Sequence, residues 1–299
     1  MNKSTKFMGF RGIVMTTDQL TLTNMTISGK ELKNAEFRKV FEKLQKDNKI
    51  KNVYRNKPYY LFFVKMYDND IMQCKLVRKT TLKKHDLGEK DIDETIIDDY
   101  PYVNVFVHLA SQKFLVELNQ SIFVDYETSI VVLQNIINTI LTVNDCYINI
   151  QAILDDKTFW NFIKTSKLVY EVELILKAPN MFDVSDNADS FVRAIENITN
   201  AKTVAVKLNN DEGKLEIKKE NIDTYVQYAN AGGGEWVIKR KTKEEGKKTT
   251  IKSSQKCKIV NIPASVREIR KSNVAINIII NSFNTIEHFA NFKIGNNDE

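Results

Sequence analysis

The chain contains few of the residues that mark metal sites, disulfide frameworks or repetitive folds. Its 299 residues include three cysteines, three histidines, four prolines and ten glycines. The cysteines and histidines are widely separated: Cys74, Cys146, Cys257, His85, His108 and His288. Without a CxxC pair or an H-E-x-x-H spacing, this distribution argues against zinc sites and disulfide frameworks. We therefore predict reduced structural thiols and no metal site.

Long hydrophobic runs are also missing. The sequence has no stretch of eighteen apolar residues and no basic-plus-apolar segment at its start. These absences predict a protein that neither spans a membrane nor carries a secretion signal, with no membrane partner. The expected location is the cytoplasm.

Positive charge is concentrated in one segment, residues 235–258, which we call the basic hairpin. The chain carries 44 Lys and Arg against 38 Asp and Glu, a formal net charge of +6. The basic hairpin alone has nine Lys and Arg against three Glu, which is the same balance of +6. Clustered positive charge attracts polyanions. The segment is therefore the first candidate for a binding site.

The pattern of this segment predicts a protruding β-hairpin. Apolar and cationic residues alternate on both sides of the turn at residues 244–246, and three glycines at 232–234 end the preceding helix. One interpretation is a solvated hairpin whose lysines serve solubility. The other is a site for nucleic acid or an acidic protein surface. Its candidate residues are Trp236, Lys239, Arg240, Lys241, Lys243, Lys247, Lys248, Lys252, Lys256 and Lys258.

Hydrophobic periodicity elsewhere predicts an α+β fold, with mostly antiparallel sheets and flanking amphipathic helices. We assign residues 1–143 to an N-terminal domain and residues 144–299 to a C-terminal domain that carries the basic hairpin. The charged segment 83–99 lacks apolar periodicity and is predicted to be a loop. Residues 214–218 are expected to pair as a strand with residues 203–208.

The C-terminal region predicts a homo-oligomer. Apolar residues alternate from 274 to 280, which is typical of a strand, and phenylalanines follow with little charge between them. An exposed apolar edge favours pairing with another subunit, although a core strand of the same chain fits Ile276 and Ile278 equally well. The expected interface residues are Ile279, Phe283, Phe289 and Phe292.

No catalytic residue or cofactor motif emerges, so we expect a non-enzymatic protein without cofactors. The alternative is a metal-dependent nuclease or other effector, in which Asp211, Glu216 and Lys218 would hold Mg²⁺ and orient water. Alternating charges on a half-exposed strand explain the same residues without a metal.

Three motifs in the second half carry a resemblance: LILKAPN at 174–180, NNDEGKL at 209–215 and GGGEWVIK at 232–239. Together they make residues 147–262 similar to uncharacterised bacterial proteins encoded among mobile-element and phage-defence genes. The resemblance implies a defence or counter-defence context. It transfers no catalytic residue.

Overall fold

The computed structural model of the chain describes residues 4–16, 29–87, 91–177, 186–199, 201–268 and 273–287. The strands are β1 (Ser4–Thr16), β2 (Lys49–Tyr54), β3 (Lys57–Met66), β4 (Ile71–Arg78), β5 (Thr80–Leu87), β6 (Ile92–Asp99), β7 (Tyr102–His108), β8 (Lys113–Glu117), β9 (Cys146–Ala152), β10 (Leu168–Lys177), β11 (Thr203–Asn209), β12 (Gly234–Lys241), β13 (Thr249–Lys252) and β14 (Ile259–Pro263). The helices are α1 (Gly29–Asp47), α2 (Tyr126–Leu141), α3 (Asp156–Lys164), α4 (Asp186–Thr199), α5 (Lys219–Tyr228), α6 (Ser265–Glu268) and α7 (Asn273–Glu287). The predicted α+β class is confirmed, and the paired strands of the three sheets are antiparallel. Leu20 and Leu22 predict a short strand around residue 21, which lies outside the described residues.

An eight-stranded sheet forms the larger layer and curls into a half-barrel. Its strand order is β14-β1-β8-β7-β4-β3-β2, and β9 also pairs with β1. One face packs on α1 and α2, because α1 buries Phe37, Val40, Phe41 and Leu44 at helical spacing. The opposite face packs on α6 and α7. The half-barrel therefore has a separate hydrophobic core on each side.

The second sheet has the order β11-β10-β12-β13. Its apolar face buries Val172, Leu174, Trp236 and Ile238 against α3, α4 and α5. Residues at alternate positions on these strands point to the other face, which we call the open face. The basic hairpin therefore belongs to a sheet that is covered by helices on one side.

Strand β1 joins the two halves of the chain. Its residues 4–8 pair with β14, residues 10–16 pair with β9, and residues 7–11 pair with β8. Gly9 lies where one edge changes partner, and a Cβ there would meet the Ile286 side chain of α7 at 2.9 Å. Glycine is thus needed for close helix packing. The predicted domain boundary after residue 143 stays a prediction, and strands from both sides of it meet on β1.

Three local predictions are wrong. Within the segment predicted to be a loop, residues 83–87 and 92–99 form most of the β5–β6 ribbon, and residues 274–280 lie in α7. Residues 214–218 form no strand, since only an isolated parallel bridge links Lys214 to Val169. The described part of the chain has no helix of the length and apolar character that crossing a membrane requires.

Candidate polyanion-binding surface

The basic hairpin is a real β-hairpin, but its first strand is not at the edge of the sheet. Strand β12 lies between β10 and β13, so it forms ladder hydrogen bonds on both sides. The predicted protrusion is therefore wrong for β12. Only the turn at residues 242–248 extends beyond the paired strands. The lysines of the hairpin consequently differ in how much of their charge remains available.

Trp236 was predicted to contact the ligand, and the structure contradicts this. Its side chain is fully buried, with ring contacts to Phe159 at 5.4 Å and Phe162 at 6.1 Å between centroids. Its Nε1 donates to Asn230 Oδ1 at 3.0 Å. Strand alternation places Trp236 with Ile238 on the apolar face, in the core beneath the helices.

Arg240 and Lys239 also have structural partners. The guanidinium of Arg240 donates to Phe162 O at 2.9 Å and to Thr165 Oγ1 at 2.8 Å, and the residue is buried. Lys239 Nζ lies 2.9 Å from Glu171 Oε1. These two cations anchor the hairpin to β10 and to the end of α3. They contribute less to ligand attraction than the sequence suggested.

Glu171 is the electrostatic centre of the open face. Its carboxylate accepts from Lys239 and also pairs with Lys207 Nζ at 3.1 Å. The hydrogen bond from Lys239, assisted by Lys207, lowers the pKa of Glu171 despite its burial. The three groups together carry one net positive charge. Lys207 reaches this face through the β10–β11 register, a long-range pairing that has no local sequence signal.

Tyr170 forms an aromatic platform near the turn of the hairpin. Lys248 Nζ lies 3.8 Å from the ring centroid, and Lys241 Nζ lies 6.0 Å from it. Such cation–π geometry fixes ammonium groups without neutralising them. Tyr170 was not among the predicted site residues. It reaches the turn through the irregularity in the β10–β12 ladder between residues 169 and 171.

The other lysines of the hairpin are more exposed. Lys256 Nζ lies 5.6 Å from the Phe162 ring centroid, and Lys258 is half-buried. Lys243, Lys247 and Lys252 are exposed and form no ion pair with any residue that the structure describes. Together with the exposed Lys248 and Lys256, these three side chains carry the available charge of the site. Glu244, in the same turn, lies 3.5 Å from Lys167 Nζ.

Lys177 lies at the far end of the open face, where β9 approaches. Its Nζ donates to Asn149 Oδ1 at 2.8 Å. Burial lowers the pKa of Lys177, and the nearby Glu235 carboxylate offsets part of that effect. This lysine links the second sheet to β9. Because Lys177 is held by these contacts at the far end, the available positive charge lies at the other end of the open face, near the turn of the hairpin.

The residues of the alternative nuclease site are not assembled into a metal cluster. Asp211 and Glu216 are exposed, and Asp211 accepts from Asn209 Nδ2 at 3.3 Å. Within the described ranges, no group of three His, Cys, Asp or Glu side chains could hold a metal ion. The absence of enzymatic activity remains a prediction.

One histidine does lie beside a hydroxyl group. His108 Nδ1 is 2.6 Å from Ser111 Oγ, and the Ser111 backbone N–H donates to the same nitrogen at 3.3 Å. Both contacts close the turn between β7 and β8. The His108 ring also packs on Phe283, with 5.4 Å between centroids. This arrangement stabilises a turn and the packing of α7.

Two of the predicted subunit-interface residues lie inside the chain's own core. Ile279 and Phe283 of α7 are buried against the half-barrel. They were assigned to an interface because the sequence pattern of residues 274–280 predicted an apolar strand. In the helix that actually forms, both side chains point toward the half-barrel. Phe289 and Phe292 lie outside the described residues. Self-association itself remains a prediction.

A cleft of about 400 Å³ lies between α1, the β3–β4 turn and Leu109. Its lining includes Arg38, Glu42 and Asp68. Arg38 is already ion-paired with Asp70, so its charge is largely neutralised. The cleft therefore attracts polyanions less strongly than the basic hairpin does.

Comparison of the chain with protein-family models finds no match, and comparison with curated proteins finds none either.

Proposed function

We propose that the protein binds nucleic acid, or a protein complex that handles nucleic acid, through the basic hairpin and without turnover. The observation that carries this proposal is the set of three exposed lysines, Lys243, Lys247 and Lys252, that lack ion-pair partners among the described residues. Neutralising phosphates with such groups releases condensed counterions and favours binding.

Tyr170 supports the same proposal. An aromatic ring beside lysines is a common device for single-stranded nucleic acid, because every base has a π-face that can stack. Lys248 Nζ lies over the ring at 3.8 Å from its centroid and Lys241 Nζ lies 6.0 Å from it, so a stacking base would replace Lys248 on that face. Residues 147–262 resemble proteins encoded among mobile-element and phage-defence genes, which adds a defence or counter-defence context to the proposal.

The test is a salt titration of binding to fluorescent single-stranded and duplex oligonucleotides. We expect the variant Lys243→Ala/Lys247→Ala/Lys252→Ala to bind more weakly. The slope of log K against log salt should become shallower by about 2 to 3, since each phosphate contact contributes roughly 0.7 to 0.9. A matched control, Lys46→Ala/Lys51→Ala/Lys57→Ala, removes three exposed lysines elsewhere and should keep the wild-type slope.

Equal slopes for the wild type and the hairpin variant would remove the hairpin as the binding site. Incubating the same oligonucleotides with Mg²⁺ tests the nuclease alternative. Cleavage that disappears in Glu216→Gln would favour that alternative over a protein that only binds.

A further inference from the structure

A two-stranded ribbon, described at residues 80–87 and 91–99, extends from the half-barrel, and we call these residues the acidic arm. Among the described residues, its strands β5 and β6 pair only with each other. They continue β4 and lead into β7, so the ribbon prolongs the β4–β7 hairpin beyond the sheet. Eight residues at roughly 3.3 Å each give a reach of about 26 Å. The arm is therefore long enough to contact another molecule.

The arm combines negative charge with exposed apolar side chains. The arm contains two lysines and six acidic residues, a formal net charge of −4. Lys83 lies 2.7 Å from Glu94 within the arm. Leu87, Ile92 and Ile96 are 94%, 62% and 65% exposed. Leu87 and Ile92 lie opposite each other across the ribbon, and contiguous apolar patches of this kind mark interaction surfaces. The negative charge argues against nucleic acid as its partner.

We propose that the acidic arm docks on the basic hairpin of a second copy of this chain. The chain itself carries the complementary charge, since the basic hairpin presents the exposed Lys243, Lys247 and Lys252 and the arm has a formal net charge of −4. Complementary patches steer association and fix its register. Each copy offers both an arm and a hairpin, so two reciprocal contacts close a symmetric dimer.

The arm of one copy and a nucleic acid would occupy the same lysines, Lys243, Lys247 and Lys252. Polyanion binding should then compete with self-association. The acidic protein surface expected from the sequence as a partner of the hairpin is, in this proposal, the arm of the second copy.

The test uses nuclease-treated, full-length protein in sedimentation velocity, with no nucleic acid added. We expect the wild type to form a dimer that dissociates as salt rises, because salt screens the contact between exposed charges. Asp91→Lys/Asp99→Lys in the arm, or Lys243→Glu/Lys247→Glu in the hairpin, should weaken dimerisation about tenfold or more. Combining both sets restores opposite charges across the contact and should restore the dimer.

A matched control, Glu42→Lys/Glu220→Lys, reverses two exposed acids elsewhere and should leave the dimer intact. A wild type that sediments as a monomer at every concentration overturns the proposal. The partner of the arm would then be a basic surface on another protein. A dimer that survives both reversals overturns it too. Because no nucleic acid is present in this experiment, either of these results would leave the proposed binding of nucleic acid untouched.

Discussion

Glu171 shows how one residue sets the charge of the open face. Its burial alone would favour the protonated form, but the two lysine partners, at 2.9 and 3.1 Å, favour the carboxylate. The pKa of Glu171 is lowered as a result. The contact joins β11, β10 and β12 across the sheet, so it stabilises the strand that carries the basic hairpin.

This arrangement predicts a pH-dependent contribution to stability. A carboxyl group with a lowered folded-state pKa stabilises the fold above its unfolded pKa, and that stabilisation is lost as the pH falls through the folded pKa. Glu171→Gln should therefore reduce the free energy of unfolding by about 1 kcal/mol at pH 7. The difference from wild type should shrink toward pH 3. Urea denaturation at both pH values measures it.

Glu173→Gln provides the control for this prediction. Glu173 lies on the same face two residues further along β10 and forms no ion pair with a described residue. Its substitution should change stability little at either pH. An effect of Glu171→Gln that is equal at pH 7 and pH 3 would show that the carboxylate charge is not responsible.

At the scale of elements, α7 shows why the C-terminal prediction failed. Its buried residues are Ala275, Ile279, Ser282, Phe283 and Ile286. This spacing is helical. The alternation of apolar residues from 274 to 280 fits a strand equally well over so short a run. The polar residues at 277, 281 and 284 recur at helical spacing and were the overlooked signal.

Helix α7 should therefore respond to substitution by helical position. Ile279→Ala removes a fully buried side chain and should lower the free energy of unfolding by about 2 to 5 kcal/mol. Val274→Ala is the control, because this residue is 64% exposed, and its effect should stay within about 0.5 kcal/mol. Thermal denaturation followed by circular dichroism measures both. Equal losses at the two positions would contradict the helical packing.

Other elements were predictable to different degrees. Helix α2 has a local sequence signal: Asp125 is an N-cap residue that accepts from the Thr128 backbone N–H, and such capping depends on neighbouring residues alone. The β5–β6 ribbon was not predictable from sequence, because its strands lack alternation and contact each other through pairs such as Lys83–Glu94.

Within the candidate site, the local concentration of positive charge in the sequence located the lysines. Their differing partners depend on Glu171, Tyr170 and Phe162, which long-range pairing brings near.

At the scale of the whole molecule, β1 couples the two proposed domains. It pairs with β8 from the first half and with β9 and β14 from the second. Its two faces also serve different cores. Phe10 and Val14 pack with α1 and α2, whereas Ile13 and Met15 pack with the core of the second sheet. Unfolding either half would therefore expose apolar surface and free hydrogen-bonding groups in the other.

We accordingly expect one cooperative unfolding transition for the full-length chain. Both tryptophans, Trp160 and Trp236, lie in the second half and report on the environment of the second sheet, whereas far-ultraviolet circular dichroism reports on all elements. In a urea titration the two signals should share one midpoint and one slope, as two-state unfolding requires. If residues 1–143 and 144–299 instead unfold independently, the tryptophan transition will separate from the circular dichroism transition. That outcome would show that the pairings on β1 do not couple the two halves energetically.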